Sequence, residues 1–120
     1  MKGQPAVFVV DDDESVRDAV RCMLEAAGFR VETYCSGRDF LDRYDRSRQG
    51  CLLLDVQMPE IDGIELQRRL NEEGIRLPII MLTAHGSIPM AVNAVRMGAF
   101  DFIEKPFNDD TLIKRIQDAS

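Results

Sequence analysis

A chain of 120 residues with 45% hydrophobic and 30% charged residues can bury one globular core without a disulfide framework or a structural metal. Its formal charge of -6, with no basic run, argues against binding nucleic acid through the phosphates. No apolar stretch reaches membrane-spanning length and no basic, apolar leader opens the chain, so no membrane association and a cytoplasmic location are expected.

The elements alternate along the chain. "AVFVV" (6–10) is a continuous, mostly β-branched run, as a parallel strand covered on both faces should be. Asp11, Asp12 and Asp13 follow it, and Asp13 is placed to cap a helix whose apolar stripe is Val16, Ala19, Val20, Met23, Leu24 and Ala27. Gly28 can end that helix. "RVETY" (30–34) alternates like an edge strand, and "SGRD" (36–39) resembles a capping box opening a second helix. "CLLL" (51–54) is a second buried strand, followed by a further box, "DGIE" (62–65).

"IIML" (79–82) is a third buried strand, and Pro89 suits the first turn of a fourth helix. From Ile88 to Met97 that helix is apolar on nearly every side, with only Asn93 and Arg96 expected to face water. A helix of this kind covers a sheet with one face only, so its outer residues are expected to meet a partner. "FDFI" (100–103) reads as the other edge strand, and Asp109 or Asp110 as the cap of a fifth helix. Cys22, Cys35 and Cys51 form no C-x-x-C pair and are expected to be small, mostly buried hydrophobes.

Five strand–helix units in succession predict an α/β fold. The sheet should be parallel, with helices on both faces, right-handed crossovers and a crevice at the carboxyl ends of the strands. Residues 1–120 read as one domain, and any output domain would lie beyond residue 120.

The crevice is where chemistry is delivered. Asp11 and Asp12 follow the first strand, Asp55 the third, Thr83 the fourth and Lys105 the fifth. Each has a plainer reading alone, as a turn former, a satisfied hydroxyl or a solvated charge, but their joint placement outweighs those readings. Asp11, Asp12 and Asp55 make a cluster of hard oxygens suited to Mg²⁺. Beside Lys105 and the Thr83 hydroxyl, that cluster suits a phosphoryl group. A carboxylate can accept one as an acyl phosphate, and Asp55 is the best placed. His85, the sole histidine, is assigned to the pocket rim. No P-loop and no G-x-G-x-x-G fingerprint is present.

"VVDDD", "LLLDVQMPEIDG", "MLTA" and "DFIEKPF", in this order and spacing, resemble the receiver domain of two-component response regulators across essentially the whole chain. The stretch "TAHGSIPMAVNAVRMGAFDFIEKPF" is most similar to receivers that precede a LuxR-type helix-turn-helix output domain. The resemblance implies a flavodoxin-like, doubly wound (βα)5 sheet in strand order 2-1-3-4-5. It implies that Asp55 takes a phosphoryl group from a sensor histidine kinase. Mg²⁺, with Mn²⁺ able to substitute, would be held by Asp11, Asp12, Asp55 and the backbone carbonyl of Gln57.

Lys105 would pair with the phosphoryl oxygens, across a cis bond to Pro106. Thr83 would move toward the phosphoryl group and Phe102 would change rotamer with it. The side chains of Gln57 and His85 would tune the lifetime of the phosphorylated state. Phosphorylation would yield a homodimer through the fourth helix and fifth strand and control an output, transcription being the expected one. Such a domain catalyses only its own phosphorylation and dephosphorylation. An alternative comes from "DDDESV", which also satisfies D-x-D-x-[ST]-V. That pattern is similar to haloacid-dehalogenase-type phosphatases, in which Asp11 would be the nucleophile.

Overall fold

A computed structural model describes residues 6–119, with the side chain of His85 outside the described set. The strands are β1 (Ala6–Val10), β2 (Arg30–Tyr34), β3 (Gly50–Asp55), β4 (Ile79–Thr83) and β5 (Asp101–Glu104). The helices are α1 (Glu14–Ala26), α2 (Gly37–Arg43), α3 (Gly63–Glu72), α4 (Ile88–Arg96) and α5 (Asp109–Ala119), with a single 3₁₀ turn at His85–Ser87. The sheet is parallel throughout in the order β2-β1-β3-β4-β5, the doubly wound order expected.

The three central strands are buried at almost every position, and their alternate residues feed two separate cores. Phe8, Val10, Leu52, Leu54 and Met81 point to the side of Phe40, Leu66, Leu70, Ala91 and Ala94, and so toward α2, α3 and α4. Val7, Val9, Leu53, Ile80 and Leu82 point to Val20, Leu24, Leu112 and Ile116, and so toward α1 and α5. Continuous apolar runs are what this two-sided burial requires. Truncating any of the fully buried leucines to alanine would cost about 2 to 5 kcal/mol.

The helix ends follow local chemistry, with two departures. Asp13 Oδ1 accepts from the Ser15 N–H at 2.9 Å, as expected of the α1 cap, and Gly28 takes φ 94° just past the helix end. Ser36 and Asp62 accept from the N–H groups of Asp39 and Glu65 at 3.0 and 2.8 Å. The return arms of the expected boxes differ: Asp39 accepts from Cys35 rather than Ser36, and Glu65 pairs with Arg68 and Arg69. The cap of α5 is neither Asp109 nor Asp110 but Asn108, whose Oδ1 accepts from Asp110 and Thr111 at 2.8 and 3.2 Å. The two aspartates lie in the first turn, where negative charge suits the helix dipole.

Three further expectations are corrected. β5 begins at Asp101, leaving Phe100 outside the strand and 45% exposed. Among the cysteines only Cys51 is buried, because Cys22 lies on the outer face of α1 and Cys35 follows edge strand β2. α4 buries only Ala91 and Ala94, so the water-facing set extends well beyond Asn93 and Arg96. Val92 and Val95 are each 36% exposed and Met97 is 46% exposed. Among the described residues, no helix is long and apolar enough to cross a membrane.

Candidate functional site

The strand register brings the site together. Val10 pairs with Leu54, so Asp11 and Asp55 occupy the next level of adjacent strands, β1 and β3. Asp55 and Thr83 are the last residues of β3 and β4. Two backbone bonds extend the ladder past the strand ends: Asp11 N–H donates to Tyr34 O at 3.2 Å, and Lys105 N–H to Thr83 O at 2.7 Å. Asp11, Asp55, Thr83 and Lys105 therefore stand together at the carboxyl edge, where a crevice is expected.

Asp11, Asp12 and Asp55 each offer a carboxylate oxygen, and these oxygens lie within 4.8 Å of one another. Asp11 is fully buried, Asp55 is 9% exposed and Asp12 is open to solvent. Hard oxygens, partly wet and crowded with negative charge, fit a divalent cation that keeps several waters, as Mg²⁺ does. Lys105 Nζ lies 3.2 Å from Asp11 Oδ2 and 3.5 Å from Asp55 Oδ1. The ammonium thus bridges the two buried carboxylates.

Burial pushes the Asp55 carboxyl up to about 6, and the charge on Asp11 pushes the same way. Lys105 and the Gln57 backbone N–H, which donates to Asp55, act in the opposite sense, and Asp12 adds a smaller upward push. Near pH 7 Asp55 is mostly an anion, in surroundings that disfavour its charge. Such a carboxylate gains from any additional positive charge brought beside it.

Thr83 is fully buried, and its hydroxyl donates to the Ala84 carbonyl at 3.0 Å. Phe102 is half-buried against the core on the α2-α3-α4 side. The Lys105–Pro106 bond is cis, as anticipated. The Gln57 side chain is exposed, and the side chain of His85 lies outside the described residues.

Two site residues escaped the sequence reading. Arg17 Nη1, from α1, donates to the Asp11 carbonyl at 2.7 Å and fixes the turn that carries the acidic pair. Gly63 opens α3 where a Cβ would stand 2.5 Å from the Asp55 carbonyl, so the loop after the acid can close only over glycine. The "DG" of "EIDG" was a signal for Gly63, read there only as a cap. Arg17 had none, since it looks like any solvated residue of an amphipathic helix.

Further clefts open on the surface, one of them beside Lys105 itself. An apolar groove of about 500 Å³ runs between α1 and the segment after β5, lined by Val16, Ala19, Met23, Pro106 and Phe107. A cleft of about 510 Å³ lies at the opposite end of the sheet, around Gly50 and Pro78. Of the three arginines that line it, Arg46 is paired with Glu73 and Arg48 with Glu32, and Arg76 stands beside them.

A five-stranded parallel sheet in this order, with an acidic cluster and a lysine at its carboxyl edge, defines a receiver-type signalling domain. The chain belongs to the response regulator receiver domain family, whose profile matches residues 7–117. It is 43% identical over 113 residues to the response regulator protein TodT of Pseudomonas putida F1, covering 94% of this chain and 50% of TodT. To the transcriptional regulatory protein FixJ of Rhizobium meliloti it is 45% identical over 114 residues, 95% of this chain and 56% of FixJ. The chain thus spans about half the length of the curated relatives it matches. The crystal structure of full-length FixJ from B. japonicum superposes with a TM-score of 0.92 at 41% identity, over 98% of this chain and 58% of that one.

The phosphatase alternative built on Asp11 does not fit these findings. Asp11 is fully buried and engaged by Lys105, whereas the family match spans almost the whole chain.

Proposed function

We propose that Asp55 is the phosphoacceptor of a phosphorylation-activated switch, supplied by the phosphohistidine of a sensor kinase. The observation that carries this reading is the position of its carboxylate, within 3.5 Å of Lys105 and inside the acidic cluster. A carboxylate oxygen of Asp55 attacks phosphorus, the O–P bond forms as the donor's N–P bond breaks, and the electron pair stays with the imidazole nitrogen. Asp11, Asp12, Asp55 and the Gln57 carbonyl would hold Mg²⁺, which would supply charge neutralisation for the cluster and the incoming oxygens.

Lys105 then exchanges part of its contact with the carboxylates for the phosphoryl oxygens. Thr83 gives up its bond to Ala84 for the same group, and Phe102 turns into the space it leaves. Gln57 and His85 tune the lifetime of the product, so substituting either changes the decay of phospho-Asp55 more than its formation. The apolar groove beside Lys105 offers the donor a seat.

The exposed Val92, Val95, Met97 and Phe100, on α4 and the turn into β5, form the surface through which two phosphorylated copies pair. By likeness to TodT and FixJ, the whole protein is read as a cytoplasmic regulator of transcription. Incubation with acetyl phosphate and Mg²⁺ should add one phosphoryl mass, and Asp55→Asn should not acquire it. Full labelling of the Asn variant would refute the assignment.

A further inference from the structure

The seam between α3 and α4 contains a polar side chain that apolar packing does not account for. Gln67 is 1% exposed, on the face of α3 that also buries Leu66 and Leu70. Its Nε2 donates to the Ala94 carbonyl at 2.9 Å. Among the described residues its Oε1 is buried without a hydrogen-bond partner. The orientation of the amide follows from chemistry, because turning it over would set Oε1 against the Ala94 oxygen, acceptor against acceptor. A buried amide with one half unmet is less favourable than an apolar residue of the same shape. Packing alone would select leucine or methionine here. What Gln67 adds is direction, since it ties α3 to one particular carbonyl of α4.

That carbonyl is the junction at the C-terminal end of α4. It also accepts from the N–H groups of Met97 and Ala99 at 3.1 and 3.0 Å, so three donors converge on it. One turn further along α3, Asn71 Nδ2 reaches the Met97 carbonyl at 3.4 Å. The other end of α4 is held differently. It follows the 3₁₀ turn after Thr83, its N-cap Ser87 makes no side-chain capping bond, and the helix buries only two alanines. α4 is therefore fastened at its far end and lightly held at the end nearest the acidic cluster.

We propose that Gln67 is a pin: a positioning residue that holds the C-terminal end of α4 in its resting placement and about which the helix pivots when its Thr83 end moves. The trigger of that pivot rests on the Asp55 reading above, whereas the pin itself does not. Gln67 sacrifices stability for a defined helix position, and an apolar replacement reverses that exchange.

The test is Gln67→Met, with Gln67→Leu as a second variant, in the unphosphorylated chain. The thermal midpoint should stay equal or rise, because the unmet oxygen is gone. The amides of Met97 and Ala99 should exchange with deuterium about tenfold faster relative to those of β1 and β3, as expected when one buried hydrogen bond is lost locally. Labelling by acetyl phosphate should become several-fold faster. Unchanged exchange in α4 would overturn the pin. So would a lower midpoint with uniformly faster exchange, or failure of both variants to fold, since either makes Gln67 an ordinary core residue. Faster α4 exchange with an unaltered labelling rate would overturn the pivot. A wild-type chain that takes no label would tell against Asp55 and leave the exchange result standing.

Discussion

Nζ of Lys105 stands 3.5 Å from Oδ1 of Asp55 although their strands are not neighbours, β4 lying between β3 and β5. The lysine reaches across the end of β4 because its backbone is held to Thr83, and its stem spans the remaining gap. One ammonium cannot offset three carboxylates and the burial of two of them. The Asp55 carboxyl consequently remains raised, at about 6.

This shift has a definite sign in stability. Asp55 binds its proton more tightly folded than unfolded, so the contribution is fully present below about pH 4 and lost as pH rises through about 6. A rise of about two pH units corresponds to an upper limit of roughly 3 kcal/mol. In chelator, urea unfolding of the wild-type chain should show this loss between pH 4 and 7, and Asp55→Asn should flatten it while being more stable at pH 7. Parallel pH profiles would contradict the electrostatic account.

The same crowding predicts the metal response. A cation bound only by the folded chain stabilises it by about 2.7 kcal/mol at a hundredfold excess over its dissociation constant. Calorimetric melting should show this rise with Mg²⁺. Asp12→Ala, at a solvent-exposed position, should melt higher than wild type without metal and lose the response. A midpoint indifferent to saturating Mg²⁺ in the native chain would remove the site.

Gly63 links the fold to the acid. A Cβ there would stand 2.5 Å from the Asp55 carbonyl and 3.0 Å from the Val56 Cα, both backbone atoms that cannot swing away. Gly63→Ala should destabilise by roughly 1 to 3 kcal/mol, the usual range for overpacking. It should also slow labelling of Asp55 more than it weakens the fold, as read by denaturant midpoint and acetyl phosphate kinetics on the same sample. Wild-type labelling would show that the loop adjusts.

For the dimer, both valines face outward, so either can be tested. Val95→Glu places a charge in an exposed apolar patch without touching the core. Light scattering should report a monomer-to-dimer transition on phosphorylation of the wild-type chain, and a labelled monomer for the variant. A phosphorylated wild-type chain that stays monomeric at high concentration would exclude pairing through this domain alone.

Much of this was written locally in the chain. The apolar runs that become β1, β3 and β4, the Asp13 cap, the Gly28 helix stop and the acids at strand ends depend on backbone periodicity and on neighbours a few residues away. Their alternation dictates a parallel sheet and hence one edge where Asp11, Asp55, Thr83 and Lys105 must gather.

Other features depended on what each surface is packed against. Composition showed α4 apolar on nearly every side, but which stripe meets the sheet was settled by packing: Ala91 and Ala94 are buried while Val92 and Val95 face outward. Cys22, on α1, is exposed for the same reason, and Cys35 because it lies just past the end of edge strand β2. Asn108 took the cap from Asp109 because the helix starts at Asp109, one residue earlier than a cap at that aspartate would allow. Contacts from Arg17 to the Asp11 carbonyl and from Gln67 to the Ala94 carbonyl join a side chain to a backbone oxygen. Every residue carries such an oxygen, so no residue type marks the acceptor, and only the folded geometry selects it.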